Sequence, residues 1–293
     1  MNNTAQTKPN RIYKSRLFEL VFSDRKELLN LYNAMNGTDY EDPELLEINT
    51  LENAIYMSMH NDVSFIIDSR LALYEHQSTY SPNLPLRYLF YVSDLYSAET
   101  RAANLYGTRI IRIPAPRFVI FYNGEEEQPG SQVLRLSDMY AVKEEAPSLE
   151  LEALMLNINP GYNQKLLESC KTLHDYSVYT SMVRTYAKTM DLEEAVEKAI
   201  TECISNGILE DYLSKNRAEA KSVSIYEYDE EKHMRQEREE SREEGRIQGE
   251  IKGAERVLEL TRLLIEANRF EDLKRATTDK EFCKRLFEEF HIL

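Results

Sequence analysis

The chain has 293 residues, 42% hydrophobic and 30% charged, with a formal net charge of −15, nine glycines and nine prolines. That length suffices for one or two globular domains with a sizeable core, and the scarcity of Gly and Pro leaves little room for low-complexity linkers. The acidic balance argues against a protein that coats nucleic acid nonspecifically, since phosphate binding is driven by Lys and Arg.

From the N-terminus, "MNNTAQTKPNRIYKS" lacks the apolar segment of a secretory signal, and no run approaches the ~18 apolar residues of a membrane span. A cytoplasmic protein with no membrane partner is expected. Leu17, Leu20, Val21, Leu28, Leu29 and Tyr32 then recur at helical intervals, with Asp24 as a break between two segments and Gly37 as a C-cap. "NAIYMSM", at residues 53–59, alternates like a first strand. It leads into "NDVSFIIDSRLALYEHQSTY", where "VSFII" and "RLALY" have the β-branched and apolar content of half-buried strands. Pro-marked punctuation opens a helix with Leu86, Leu89, Phe90 and Tyr96 on one side. "PRFVIFYNG" is a fourth strand, buried on both faces and closed by Asn123-Gly124, and "SLELEALMLNINPG" is a fifth, ending at Pro160-Gly161.

The order helix, three strands, helix, two strands predicts an α/β fold, a mixed sheet flanked by helices, over residues 1–160. Beyond it the chain reads as helical. Residues 161–225 form amphipathic helices that pack on the core, and residues 226–293 a long charged helix followed by C-terminal helices. The same charged stretch also fits a linker that orders only on meeting a partner. Gly245, Gly249 and Gly253 share one helical face, which fits either close helix approach in a homo-oligomer or a mobile connector. Cys170, Cys203 and Cys283 are widely separated, without the spacing of a zinc or redox motif, and read as reduced thiols packed against helices.

Charge is unevenly distributed. Residues 1–29 carry Lys8, Arg11, Lys14, Arg16, Arg25 and Lys26 against three acids, and residues 101–123 carry four arginines and no acid. Residues 226–250 hold ten acids against five bases. A local basic surface near the hairpin is therefore compatible with the acidic total.

The hairpin raises the question of function. If Asp68 and Ser69 form its tight turn, Ile67 faces Arg70, facing residue numbers sum to 137, and Asp62 faces Glu75. Directly opposed residues share a sheet face with Cβ atoms ~4.5–5.5 Å apart, and Gln77 emerges on that face two steps later. Two carboxylates so close repel unless a cation such as Mg²⁺ offsets them. A turn longer by one residue sends them to opposite faces, and the spacing fits equally well an edge hairpin whose charged end lies in water. His76 points to the other face by alternation and reads as structural. The remaining histidines are dispersed, although His60 is near Asp62 in sequence. Arg87, in the first turn of the following helix, fits either a phosphate contact or a surface salt bridge. No Gly-rich phosphate loop is present, which disfavours ATP-driven chemistry.

"NDVSF", "YEHQST" followed by "PNLPLRYL", "LYNAMNGTDY", "FVIFYNG", "LNINPGYN" and "CISNGILEDYL" together resemble the recombination-promoting nuclease family, also described as PD-(D/E)XK nuclease family transposases. The likeness runs from about Tyr13 to the C-terminus. It implies a restriction-endonuclease-like core in which Asp62 supplies one acid and Glu75-His76-Gln77 an E-x-Q element. Asp62 and Glu75 would hold Mg²⁺ or Mn²⁺, the His76 backbone carbonyl would complete the metal shell, and Gln77 would position the attacking water. DNA is the implied substrate, with Arg87, Lys14 and Arg16 as its expected contacts. Two departures stand out. Relatives carry an acid after the lysine of the N-terminal "YK" element, where this chain has Ser15 and Glu19 is the expected substitute. Gln77 is neutral where many related nucleases have lysine. A catalytically weak interaction protein on the same fold, working through helical assembly or inhibition, is the competing expectation.

Overall fold

The computed structural model describes residues 17–48 and 63–292. Helices α1 (Leu17–Val21) and α2 (Arg25–Asn36) are split at Asp24, whose carboxylate accepts from the backbone N–H groups of Lys26 and Glu27 and so caps α2. Gly37, at φ 63°, ends α2 in the left-handed conformation. A two-residue strand, β1 (Glu47–Ile48), follows, while the strand expected at residues 53–59 lies outside the described residues.

Strands β2 (Val63–Ile67) and β3 (Arg70–Gln77) pair antiparallel in the expected register, from Ile67 facing Arg70 to Val63 facing Tyr74. Both turn residues are left-handed, Asp68 at φ 53° and Ser69 at φ 58°. A two-residue hairpin turn demands this because it matches the strand twist, yet neither position is glycine. The Tyr40 hydroxyl donates to Asp68 Oδ2 at 2.5 Å and helps to hold the turn. A left-handed residue with a Cβ costs ~1–2 kcal/mol. Ser69→Gly is therefore expected to raise stability by about 1 kcal/mol in chemical denaturation; an unchanged midpoint would show that Ser69 is unstrained.

β3 runs three residues past "RLALY" because its end is paired on the far side. It lies parallel to β4 (Ala115–Tyr122), with Glu75 beside Ile120, His76 beside Phe121 and Gln77 beside Tyr122. Helix α3 (Leu84–Glu99) makes the crossover between them. The sheet is completed by β5 (Ser131–Arg135) and β6 (Glu152–Asn157) in the order β1-β2-β3-β4-β6-β5, parallel at its centre and antiparallel at both edges. β5 escaped sequence reading because it is an edge strand with one buried residue, Leu134, and so has no apolar alternation to recognise.

The sheet is covered on both faces. Leu71, Leu73, Ile120, Tyr122 and Met155 pack with Leu84, Tyr88, Tyr91 and Leu95 of α3. On the other face Phe65, Tyr74, Phe121 and Ile158 meet residues of α1, α2 and α5 (Lys171–Ala187). Each fully buried Leu, Ile or Phe contributes roughly 1.5–3 kcal/mol. Helices α4 (Gln164–Ser169), α6 (Leu192–Ser205) and α7 (Glu210–Lys215) complete this second layer, and Val196, Ile200 and Leu213 belong to the same core as the sheet. Burial pushes the thiols of Cys170 and Cys203 up, to about 11 and about 12, and both are free.

Residues up to Glu231 form one compact unit and those from Lys232 a second. Helix α8 (Arg217–Glu266) is continuous through the acidic stretch, where Arg246 bridges Glu243 and Glu250, and Arg262 bridges Glu259 and Glu266. A Cβ added at Gly245, Gly249 or Gly253 meets nothing within 4 Å. In the second unit Leu260 and Leu264 of α8 form a small core with Leu286 of α10 (Lys280–Glu289), joined by Leu273 of α9 (Phe270–Ala276). Among the described residues no helix is long and apolar enough to cross a membrane.

Candidate active site

Strand alternation turns Glu75 and Gln77 toward α3, on the side of Leu71 and Leu73. Glu75 is 3% exposed. A carboxylate removed from water needs donors or a counter-charge, and two side chains converge on Oε1. Gln77 Nε2 donates to it at 2.5 Å, and Arg87 Nη2 at 2.8 Å. Arg87 reaches it because the Pro-containing first turn of α3 begins at the end of the sheet where β3 terminates. Arg87 thus forms a salt bridge, one of its two sequence readings, but with a buried partner rather than a surface one.

His76 faces the other way, as alternation predicts. Its Nε2 lies 2.7 Å from Asn123 Oδ1 and 3.0 Å from the Tyr176 hydroxyl, and its ring stacks on Phe18. Arg184 donates to the Asn123 carbonyl and, at 3.4 Å, to Asn123 Oδ1. Oδ1 is thus an acceptor, which assigns the Nε2 proton to His76. A cleft on this face is lined by His76, Asn123, Tyr176, Thr180, Arg184 and Glu227. In the sequence Asn123-Gly124 reads as a turn pair alone. A Cβ on Gly124 would lie 2.1 Å from the backbone oxygen of Ser78, so glycine is required here for close approach of two backbone segments. The asparagines of "LNINPGYN" bind the same region: Asn159 Nδ2 donates to the Gly124 carbonyl, Asn157 Nδ2 to that of Gln128 and Asn163 Nδ2 to that of Gly130. Such a role leaves no periodic signal, because the partners are loop carbonyls remote in sequence.

Of the residues singled out from sequence, Glu75, Gln77 and Arg87 come together. Glu19 is half-buried on α1, whose Phe18 packs on the His76 face. Asp62, Lys14 and Arg16 lie outside the described residues, as does His60. A hard divalent cation requires oxygen donors, which Glu75 offers, and Arg87 competes with it for the same oxygen. Among the described residues no three His, Cys, Asp or Glu side chains are grouped to hold a metal ion. Glu75 therefore offers such an ion one carboxylate, and the second acid expected from sequence, Asp62, lies outside the described residues.

Compared with known proteins, the chain matches no family model, no curated protein and no solved structure.

Proposed function

We propose that this chain is a Mg²⁺-dependent DNA endonuclease with a restriction-endonuclease-like core, hydrolysing phosphodiester bonds in recombination or mobile-element biology. The observation that carries the proposal is the convergence of Gln77 and Arg87 on buried Glu75 at the end of a register-defined hairpin. The order of helix, antiparallel strands, crossover helix and parallel strand around it supports the reading. The proposal requires that the β2–β3 register continue by one pair, so that Asp62 stands across from Glu75.

Asp62 and Glu75 would hold the ion, which when bound lowers the pKa of water and offsets charge on the scissile phosphate. Gln77 orients the attacking water through its side-chain amide. Arg87 brings to Glu75 the positive charge that Gln77, unlike a lysine, lacks. The water oxygen would bond to phosphorus as the P–O3′ bond breaks, one water proton passing through solvent to the departing 3′ oxygen and the other remaining on the new 5′-phosphate. The Arg87 ion pair is also the observation that favours the competing reading, since a carboxylate already neutralised by arginine suits a catalytically weak interaction protein.

Incubating the protein with plasmid and Mg²⁺ or Mn²⁺ separates the two. Cleavage is expected, with a loss of at least a hundredfold in Glu75→Ala. Absence of cleavage with either metal refutes the nuclease reading, and cleavage that survives in Glu75→Ala assigns the activity elsewhere. Thermal melts add a readout independent of turnover. Relief of like-charge repulsion leaves apo Asp62→Asn at least as stable as wild type, whereas its stabilisation by Mg²⁺ is lost.

A further inference from the structure

We propose that the segment between α3 and β4, residues 101–114, is a docking surface for single-stranded nucleic acid, with Arg109, Arg112 and Arg101 on phosphates and Tyr106 stacked on a base. The choice of polymer rests on the nuclease reading; the surface itself rests on three separate observations.

The first is charge. In a chain of net charge −15, residues 101–123 contain Arg101, Arg109, Arg112 and Arg117 and no acid. All four are exposed, and none forms an ion pair among the described residues. Elsewhere Arg135, Arg217, Arg246, Arg262, Arg269 and Arg275 each hold a carboxylate. The acids that flank this stretch in sequence are Glu99, at the end of α3, and Glu125, beyond β4. Arginine forks without carboxylate partners suit phosphate.

The second is the apolar content of the same surface. Tyr106 is 100% exposed, Ile110 88% and Leu105 66%. A fully exposed ring in a segment whose arginines are unpaired is the composition of a single-strand platform, where bases stack on aromatics while cations follow the backbone. With Ile113, 47% exposed, these apolar side chains are interrupted in sequence by Arg109 and Arg112, whereas a bilayer takes a continuous apolar face.

The third is order. The Gly107 N–H donates to the Asn104 carbonyl and the Tyr106 N–H to Asn104 Oδ1, a turn that presents Tyr106 at its tip. The Tyr96 hydroxyl holds the Pro114 carbonyl at 2.6 Å, and the Ala115 N–H donates to the Ser69 carbonyl. A segment already held in shape loses less entropy on binding. From Arg87 to the end of α3 at Glu99 is 12 residues, ~18 Å along the helix axis. That is roughly five nucleotides at 3.4 Å each, a span one strand can cover.

The test is fluorescence anisotropy with a labelled 30-nucleotide DNA strand in EDTA, where no cleavage is needed. Arg109→Ala/Arg112→Ala is expected to weaken binding at least tenfold and to flatten the salt dependence by about 1.4, the share of two phosphates on a single strand. Tyr106→Ala is expected to lose about tenfold, and Tyr106→Phe to retain wild-type affinity. These side chains are exposed, and unchanged melting temperatures verify that the variants fold. Unchanged affinity and salt slope in the double variant overturn the proposal, as does a wild-type protein that does not bind the strand. Loss of binding to phosphatidylserine vesicles with DNA affinity intact overturns it in favour of a membrane surface. A protein that binds through this segment yet never cuts refutes the nuclease reading and leaves this one standing.

Discussion

Asp175→Ala lowers the stability of the first unit by about 3 kcal/mol in urea denaturation, and Asp175→Asn by about 1. Asp175 is 4% exposed on α5, and its carboxylate accepts from Lys171 Nζ, His174 Nδ1 and the backbone N–H of Leu209. The last of these matters most. Leu209 opens α7 in the left-handed conformation, at φ 45°, with its side chain in the core. Truncating Asp175 leaves a buried N–H without its acceptor, a penalty of roughly 1–3 kcal/mol, and also removes a charge-assisted bond worth roughly 1.5–3. The asparagine keeps an acceptor oxygen and loses mainly the charge. Lys171 Nζ also donates to the Gly207 carbonyl at 3.1 Å, so the same cluster holds the Asn206-Gly207 turn. A loss below about 1 kcal/mol in Asp175→Ala would show that Leu209 keeps its conformation without the carboxylate.

Arg87→Met costs about 3 kcal/mol, because a buried carboxylate loses its counter-charge, and Glu75→Gln in the same protein restores more than half of that loss. The cycle is informative because Glu75 is almost fully buried while Arg87 keeps 31% of its side chain exposed, so the energy lies mainly in what becomes of Glu75. The proposed metal site adds a sign. With arginine present a cation at Glu75 meets a like charge; without it the repulsion is gone. Stabilisation by Mg²⁺, RT ln(1 + [L]/Kd), is therefore expected to be larger in Arg87→Met than in wild type and absent in Glu75→Gln. Plasmid cleavage by Arg87→Met falls all the same, since the positive charge near the phosphate is lost. Equal Mg²⁺ shifts in all three proteins would separate Glu75 from any metal, and an Arg87→Met protein as stable as wild type would remove the premise of a buried pair.

The hairpin shows how far sequence alone reaches. A two-residue turn leaves no freedom of register, and a side-chain period of two then assigns every face, so the pairing of Ile67 with Arg70, the common face of Glu75 and Gln77 and the opposite face of His76 were all legible. The break at Asp24, the cap at Gly37 and the doubly buried β4 were equally so, because each depends on neighbours within a turn or two of chain. The polar edge strand β5 was not, for it has no apolar pattern of its own and is a strand only because β6 accepts it. The partner of Arg87 was likewise a tertiary decision. Its sequence position gave a helix start, but whether the guanidinium met water or Glu75 depended on where the crossover returns to the sheet. The network of Asn123, Tyr176 and Arg184 around His76 joins residues up to 108 positions apart, from His76 to Arg184. Local chemistry thus determined the strands, their faces and the turn, whereas the counter-ion of Glu75 and the clamps on the β4 loop were decided by packing, because hydrogen bonds between distant segments leave no period in the chain.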